Sequence, residues 1–315
     1  WREKSMHEWY AAPMEGLTGW RWRQVHAALF GPADRYYTPF LSPNANFEFQ
    51  TKELQEIAPE NNRDLPVVPQ ILTNRAEYFI WAAKECQSRG YGEVNLNLGC
   101  PSGTVTGKIK GAGLLRESDL LRELLDGIFD ALPNLKISVK TRIGWDDPAQ
   151  WPALLDILND YPIALLIVHP RLRTEFYKGA VHREVFAWTQ ENPRLPLCYN
   201  GDLFTPADIA AAPALPLMLG RGLQRDPSLL RRLRGGERAT AAQLQAYHDA
   251  LCAAYRRDYS GDTPVLHRMR ELWTYLSGSF RDTDAFLRAV RKARTLSAYD
   301  QAARAFFAQA RLSEE

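Results

Sequence analysis

Cysteine is scarce in this 315-residue chain, and the four present (Cys86, Cys100, Cys198, Cys252) form no CxxC pair and no metal-ligand spacing. That argues against a disulfide-stapled scaffold or a metal module, and it predicts a reducing, cytoplasmic setting. No apolar run reaches the roughly 18 residues that a helical membrane span needs, and no signal peptide precedes Trp9-Tyr10-Ala11-Ala12. The fingerprint GxGxxG is missing after the first apolar run, which disfavours a dinucleotide-binding doubly wound sheet. There is no low-complexity tract. The chain opens on Trp1, so residues 1–5 are expected to be foreign to the natural sequence, with Met6 its start and 1–8 disordered.

What is present is ordinary in amount and unusual in arrangement. Hydrophobic residues make up 45% and charged residues 24%, as in a typical globular protein. The net charge is only +2, yet residues 221–315 carry 17 Arg and Lys against 11 Asp and Glu, which leaves 22 against 26 in residues 1–220. A basic C-terminal third on an acidic body fits a polyanionic partner, and it equally fits solvated helix faces.

Eight short apolar runs recur: 9–14, 35–40, 66–72, 93–100, 136–142, 163–170, 196–202 and 215–222. Between them, stretches such as 77–89, 117–132 and 151–158 place apolar residues at helical spacing. Strands alternating with helices imply βαβ units, and eight units in this length predict an α/β fold, a closed (β/α)8 TIM barrel over residues 9–236. Beyond Gly235-Gly236 the strand signals stop. Residues 237–315 read as a small C-terminal helical bundle, with helices near 240–257, 265–277, 283–292 and 299–310 and with Thr240 and Thr283 as N-caps.

The polar residues gather at the ends of the predicted strands. Run one ends in Pro13-Met14-Glu15, run three delivers Gln70, and run four delivers Asn95, Asn97 and Cys100. Run five ends in Lys140 and Arg142, run six in His169, Arg171 and Arg173, run seven in Asn200-Gly201-Asp202, and run eight in Gly220-Arg221-Gly222. Carboxamides and an ammonium inside a buried strand are costly without partners, so their concentration at one end implies a lined cavity at the barrel mouth. The loops after strands seven and eight are the usual phosphate site of such barrels, and glycines with an arginine suit that role. Lys140 and Gln70 suit a flat heterocycle that turns anionic on reduction, and together these features point to FMN.

Several segments resemble the tRNA-dihydrouridine synthase family. They are Ala12-Pro13-Met14-Glu15-Gly16, Asn95-Leu96-Asn97-Leu98-Gly99-Cys100-Pro101, Gly111-Ala112-Gly113-Leu114-Leu115, Val139-Lys140-Thr141-Arg142, His169-Pro170-Arg171, Asn200-Gly201-Asp202 and Gly220-Arg221-Gly222. The resemblance implies FMN-dependent reduction of the C5–C6 double bond of uridine in tRNA with NADPH as electron donor. It implies Cys100 as the general acid at C5, Asn97 on the uracil edge and Asn95 bracing the loop. Pro13, Met14, Glu15, Gln70, Lys140, His169, Asn200, Gly201, Asp202, Gly220 and Arg221 would hold the cofactor. Arg142, Arg171 and Arg173 would meet the substrate near the mouth. Arg268 and Arg270, on a helix that departs from the family's basic aromatic pattern, would meet RNA phosphates. The partner is expected to be tRNA, with no membrane, and the chain is expected to be a monomer. The alternatives are an rRNA-directed enzyme of the same chemistry, or a small-molecule flavoenzyme of the dihydroorotate or dihydropyrimidine dehydrogenase type.

Overall fold

The structure, a computed structural model, describes residues 8–192 and 194–314. The expectation of a foreign start concerns residues outside that range, except that Glu8, expected to be disordered, already accepts a hydrogen bond from the Leu217 amide at 2.9 Å.

All eight apolar runs become parallel strands: β1 (Trp9–Ala11), β2 (Arg35–Tyr37), β3 (Val67–Val68), β4 (Gln70–Ile71), β5 (Glu93–Leu98), β6 (Lys136–Arg142), β7 (Leu166–His169), β8 (Leu197–Tyr199) and β9 (Leu217–Leu219). Nine segments arise from eight runs because Pro69, which has no N–H to donate, interrupts the third. The sheet order is β3-β2-β1-β9-β8-β7-β6-β5-β4, so the two halves of that interrupted run stand at its two ends. Val67–Val68 pairs with β2 and Gln70–Ile71 with β5, so a switch of partner across one proline closes the sheet into a TIM barrel.

Strand alternation assigns the side chains. In β5, Val94, Leu96 and Leu98 are fully buried against the outer helices, which include Ala76–Ser88 and Ser118–Ala131. The opposite set, Glu93, Asn95 and Asn97, faces the barrel interior. Apolar residues fill much of that interior: Tyr10, Tyr37, Val68, Ile167, Cys198 and Met218 form one buried cluster. At the start of β5, Glu93 meets Arg35 at 2.7 Å.

By compactness the chain divides into two units. One comprises the described part of Trp1–Pro13 with Asp34–Gly201 and Ala212–Met218, and it holds the strands through Met218. The other comprises Met14–Ala33, Asp202–Ala211 and the described part of Leu219–Glu315. In this second unit the helix Trp20–Phe30 packs on Ala241–Asp258, where the Trp22 indole donates to the Tyr247 hydroxyl at 2.7 Å. Its other helices, Asp262–Leu276, Asp284–Lys292 and Leu296–Phe307, surround the buried Trp273.

Thr240 caps its helix as expected, in a reciprocal box with Gln243. Thr283 does not cap. Its backbone is already helical (φ −81°, ψ −12°), whereas a capping hydroxyl needs an extended residue to reach back to the first turn. The last helix begins at Leu296, three residues before the expected 299, because Thr295 is extended and accepts from the Ala298 amide.

Candidate active site

Polar side chains rise through the barrel in register. Gln70, Asn95 and Ser138 are aligned partners on β4, β5 and β6, and Asn97 is aligned with Lys140. Gln70 donates to Asn95 at 2.8 Å, Asn95 donates to Ser138 at 3.0 Å, and Asn97 donates to Gln70 at 2.7 Å. Gln70, Asn95 and Ser138 have no exposed surface, so this chain of amides supports the site from beneath.

Asn97 performs the bracing that the sequence reading gave to Asn95. Its Oδ1 accepts from the backbone amides of Gly99 at 3.0 Å and Cys100 at 2.9 Å, and it sets the turn on which the thiol stands. The Cys100 carbonyl in turn accepts from the Ala112 amide at 3.1 Å. Gly111 packs beneath it with φ +56°, and a Cβ there would lie 3.0 Å from the Cys100 oxygen. The Gly-Ala-Gly-Leu-Leu segment is thus the buttress of the cysteine turn. Of the four thiols only Cys100 is accessible. Burial pushes the Cys86 thiol up to about 12 and raises Cys198 and Cys252 as well, which leaves all three protonated and enclosed.

The arginines after β6 and β7 hold the loops together. Arg142 donates to the carbonyls of Gly99 at 3.0 Å and Leu172 at 2.8 Å and lies over Tyr177. Arg171 donates to the carbonyl of Gly179 and faces the His169 ring at 3.0 Å. Arg142 and Arg171 are each 1% exposed and bonded to loop carbonyls, whereas Arg173 is half-buried. His169 stacks on Tyr177, an exposed ring that the sequence reading missed; its signal was an aromatic residue in the turn after a strand-end histidine. Asn200 ties two strand ends together by donating to the Met218 carbonyl at 2.7 Å. Gly201 sits in a crowded place, where a Cβ would lie 3.0 Å from Val181.

Within the second unit, Arg221 meets Asp202 at 2.5 Å and lies over Phe204. Asp202 therefore orients the guanidinium, a role a carboxylate can fill better than direct contact with a phosphate. Gly222 admits no side chain, because its Cβ would sit 1.9 Å from the Leu203 carbonyl. The Met14–Gly16 segment is held by Arg268, which donates to the Gly16 carbonyl and to Glu271 at 2.9 Å. Arg270 donates to the carbonyls of Val290 at 3.2 Å and Ala293 at 2.5 Å. Both side chains expected on RNA thus donate to backbone carbonyls, those of Arg270 at the C-terminal end of the helix Asp284–Lys292.

Lys140 is the exception to this pattern of satisfied groups. It is half-buried, and among the described residues it has no hydrogen-bond acceptor and no carboxylate. Burial, with Arg142 nearby, lowers its ammonium to about 8. A cation held this way fits a cofactor that becomes anionic when reduced. The penalty has a definite pH dependence. Below pH 8 the ammonium is charged in both folded and unfolded chains, so the full cost is present. As pH rises from about 8 to about 10.4, the unfolded chain keeps a proton that the folded chain has lost, and the cost disappears. Lys140→Met should therefore raise the melting temperature of the protein free of any ligand at pH 7 and have little effect near pH 10. Equal melting temperatures for the variant and the parent at pH 7, read by scanning fluorimetry, would show that the ammonium is not penalised.

A family model described as dihydrouridine synthase matches residues 10–311. The chain belongs to the dihydrouridine synthase family. It is 30% identical over 251 residues to the tRNA-dihydrouridine(16) synthase of Pseudomonas putida, covering 76% of this chain and 77% of that protein. It is 29% identical over 235 residues to the protein of the same name from Ralstonia nicotianae, covering 71% and 72%. Membership separates this synthase from the small-molecule dehydrogenases considered as alternatives. Among the described residues of this family member no helix is long and apolar enough to cross a membrane.

Proposed function

We propose that this synthase reduces the C5–C6 double bond of uridine in tRNA to dihydrouridine, with FMN as cofactor, NADPH as electron donor and Cys100 as the proton donor at C5. The observation that carries the reading is the accessible Cys100 thiol on a turn held by Asn97, which is itself aligned with Lys140 across β5 and β6. FMN would supply hydride to C6. Lys140 and His169 would face its ring system, and Arg221, with the Gly220 and Gly201 backbones, its phosphate. Asp202 would orient Arg221, and Pro13, Met14 and Glu15 would be further cofactor contacts.

The chain's own part in the chemistry is to place a protonated thiol. The two amide donors on Asn97 and the amide of Ala112 on the Cys100 carbonyl fix the turn backbone. Proton donation requires that the sulfur already lie within reach of the reacting carbon, and a fixed turn supplies that orientation before substrate arrives. The Asn97 amide has one N–H beyond that given to Gln70, and a uracil carbonyl would accept it.

Two relatives named for position 16 support that uridine of the D-loop as the target. The test is incubation of the purified protein with NADPH and unmodified tRNA or rRNA, followed by mass-spectrometric mapping. Dihydrouridine at position 16 of tRNA is expected. Product confined to rRNA, or found in neither, would overturn the reading.

A further inference from the structure

The basic C-terminal third is not the only cationic surface in this protein, and the loops around Cys100 carry another. Between the cysteine turn and the next helix lie Lys108, Lys110 and Arg116. Asn74 donates to the Lys108 carbonyl at 3.1 Å, which brings the loop of Arg75 against the same segment. Burial, then Lys108 and Arg75, hold the Lys110 ammonium below its usual value, so like charges crowd here. Lys108 and Lys110 have no carboxylate partner among the described residues, and the nearest acid to Arg116 is its exposed neighbour Glu117 at 3.5 Å.

An aromatic ladder runs from this segment. The guanidiniums of Arg116 and Arg173 lie over the Trp145 ring, 4.5 and 4.6 Å from its centroid. Arg173 also lies 5.0 Å from the centroid of Phe176 and donates to the Thr106 hydroxyl at 3.0 Å, fastening the ladder to the loop that follows Cys100. The loops bearing Trp145 and Arg173 are joined by backbone bonds from Arg173 to Gly144 and from Thr174 to Trp145, both 3.0 Å. Phe176 ends the ladder. It is 41% exposed, its backbone is left-handed at φ +54°, and no second ring covers it among the described residues. A bulky side chain in that conformation is costly, and apolar burial does not repay it here, which directs attention to a ligand.

We propose that Lys108, Lys110, Arg116, Trp145, Arg173 and Phe176 form the surface that holds the single-stranded RNA flanking the uridine in the active site, with an unpaired base stacked on Phe176 and phosphates on the cations. The proposal rests on the RNA reading above. A nucleic acid strand is the partner that this chemistry fits: arginines stacked on rings and unpaired lysines suit a backbone of phosphates, and an open aromatic face suits any base. A base must leave its stack to reach a barrel-mouth site, so its neighbours on the strand need a platform.

The experiment measures binding of a labelled, unmodified tRNA transcript to the flavin-loaded protein by fluorescence anisotropy at several salt concentrations. Flavin absorbance reports folding in each variant. Phe176→Ala should weaken binding about 10-fold without changing the salt slope, since stacking is not electrostatic, and Phe176→Tyr should restore it. Lys108→Ala with Arg116→Ala should flatten the slope of log affinity against log salt by about 1.4, two phosphate contacts. Lys136→Ala, an exposed cation at the opposite end of β6, should alter neither. If the wild type binds tRNA and the rim variants match it, or if Lys136→Ala weakens binding as much as they do, the surface is overturned. If the wild type binds no tRNA, the RNA reading itself fails, and this surface with it.

Discussion

Cys100→Ala is expected to lower turnover on tRNA by about 10²–10⁴-fold, the usual contribution of a positioned general acid. The variant should retain flavin, because two bonds that hold the turn belong to the Cys100 backbone: its amide to Asn97 and its carbonyl from Ala112. An alanine leaves both in place. Cys86→Ala and Cys198→Ala, whose thiols are wholly enclosed, should cost only packing, with turnover near the parent value. The comparison needs single-turnover rates of dihydrouridine formation and flavin absorbance for each variant. Undiminished turnover by Cys100→Ala would remove the thiol from the chemistry. Loss of flavin would show that the turn depends on the sulfur after all.

Trp273→Ala should destabilise the helical unit by about 3–5 kcal/mol, the range for deleting a large buried aromatic side chain. The indole is 1% exposed and meets Phe286 edge-on at 4.5 Å and Phe306 at 5.6 Å, with Phe280 and Phe307 also against it. Its N–H donates to the Tyr299 hydroxyl at 2.8 Å, and that hydroxyl also meets His248. Alanine would leave a cavity ringed by aromatic residues and a buried hydroxyl short of one partner. Trp273→Phe keeps the ring contacts and loses mainly the hydrogen bond, so it should cost about 1 kcal/mol. Urea denaturation followed by circular dichroism reads both values. Near-equal midpoints for Trp273→Ala and the parent would mean that this aromatic cluster does not hold the unit together.

The same helix shows why residue type and residue role can part company. Met269-Arg270-Glu271-Leu272-Trp273 reads as a basic, aromatic face for RNA, yet Met269, Leu272 and Trp273 are buried and Arg270 is spent on carbonyls of the neighbouring helix. A helix face is defined by what packs on it, and helices distant in sequence supply those neighbours. Lys108, Lys110 and Arg116 stand in a stretch that reads locally as an ordinary loop. They matter through Trp145 and Arg173, which arrive from strand ends further along the chain.

The sequence by itself determined the barrel, its strand ends and the candidate chemistry. Strand periodicity is local, each βα unit repeats the same apolar and helical signals, and polar residues at the end of a buried strand stand out against the cost of burying them. It also singled out Cys100 and Lys140, because a thiol in a Gly-Pro turn and a lysine ending an apolar strand are informative without knowing their neighbours. Only the tertiary structure decided which carboxamide braces the cysteine turn. Asn95 and Asn97 share a strand face two residues apart, and their roles separate only once β4 and β6 pair alongside them. The arginines divided in the same way: Arg142 and Arg171 turned inward to loop carbonyls, while Arg173 met Trp145 and Phe176. A guanidinium carries five donors and a flat face, so its own sequence position cannot say whether carbonyls or rings will use them. That choice belongs to the loops that close around it.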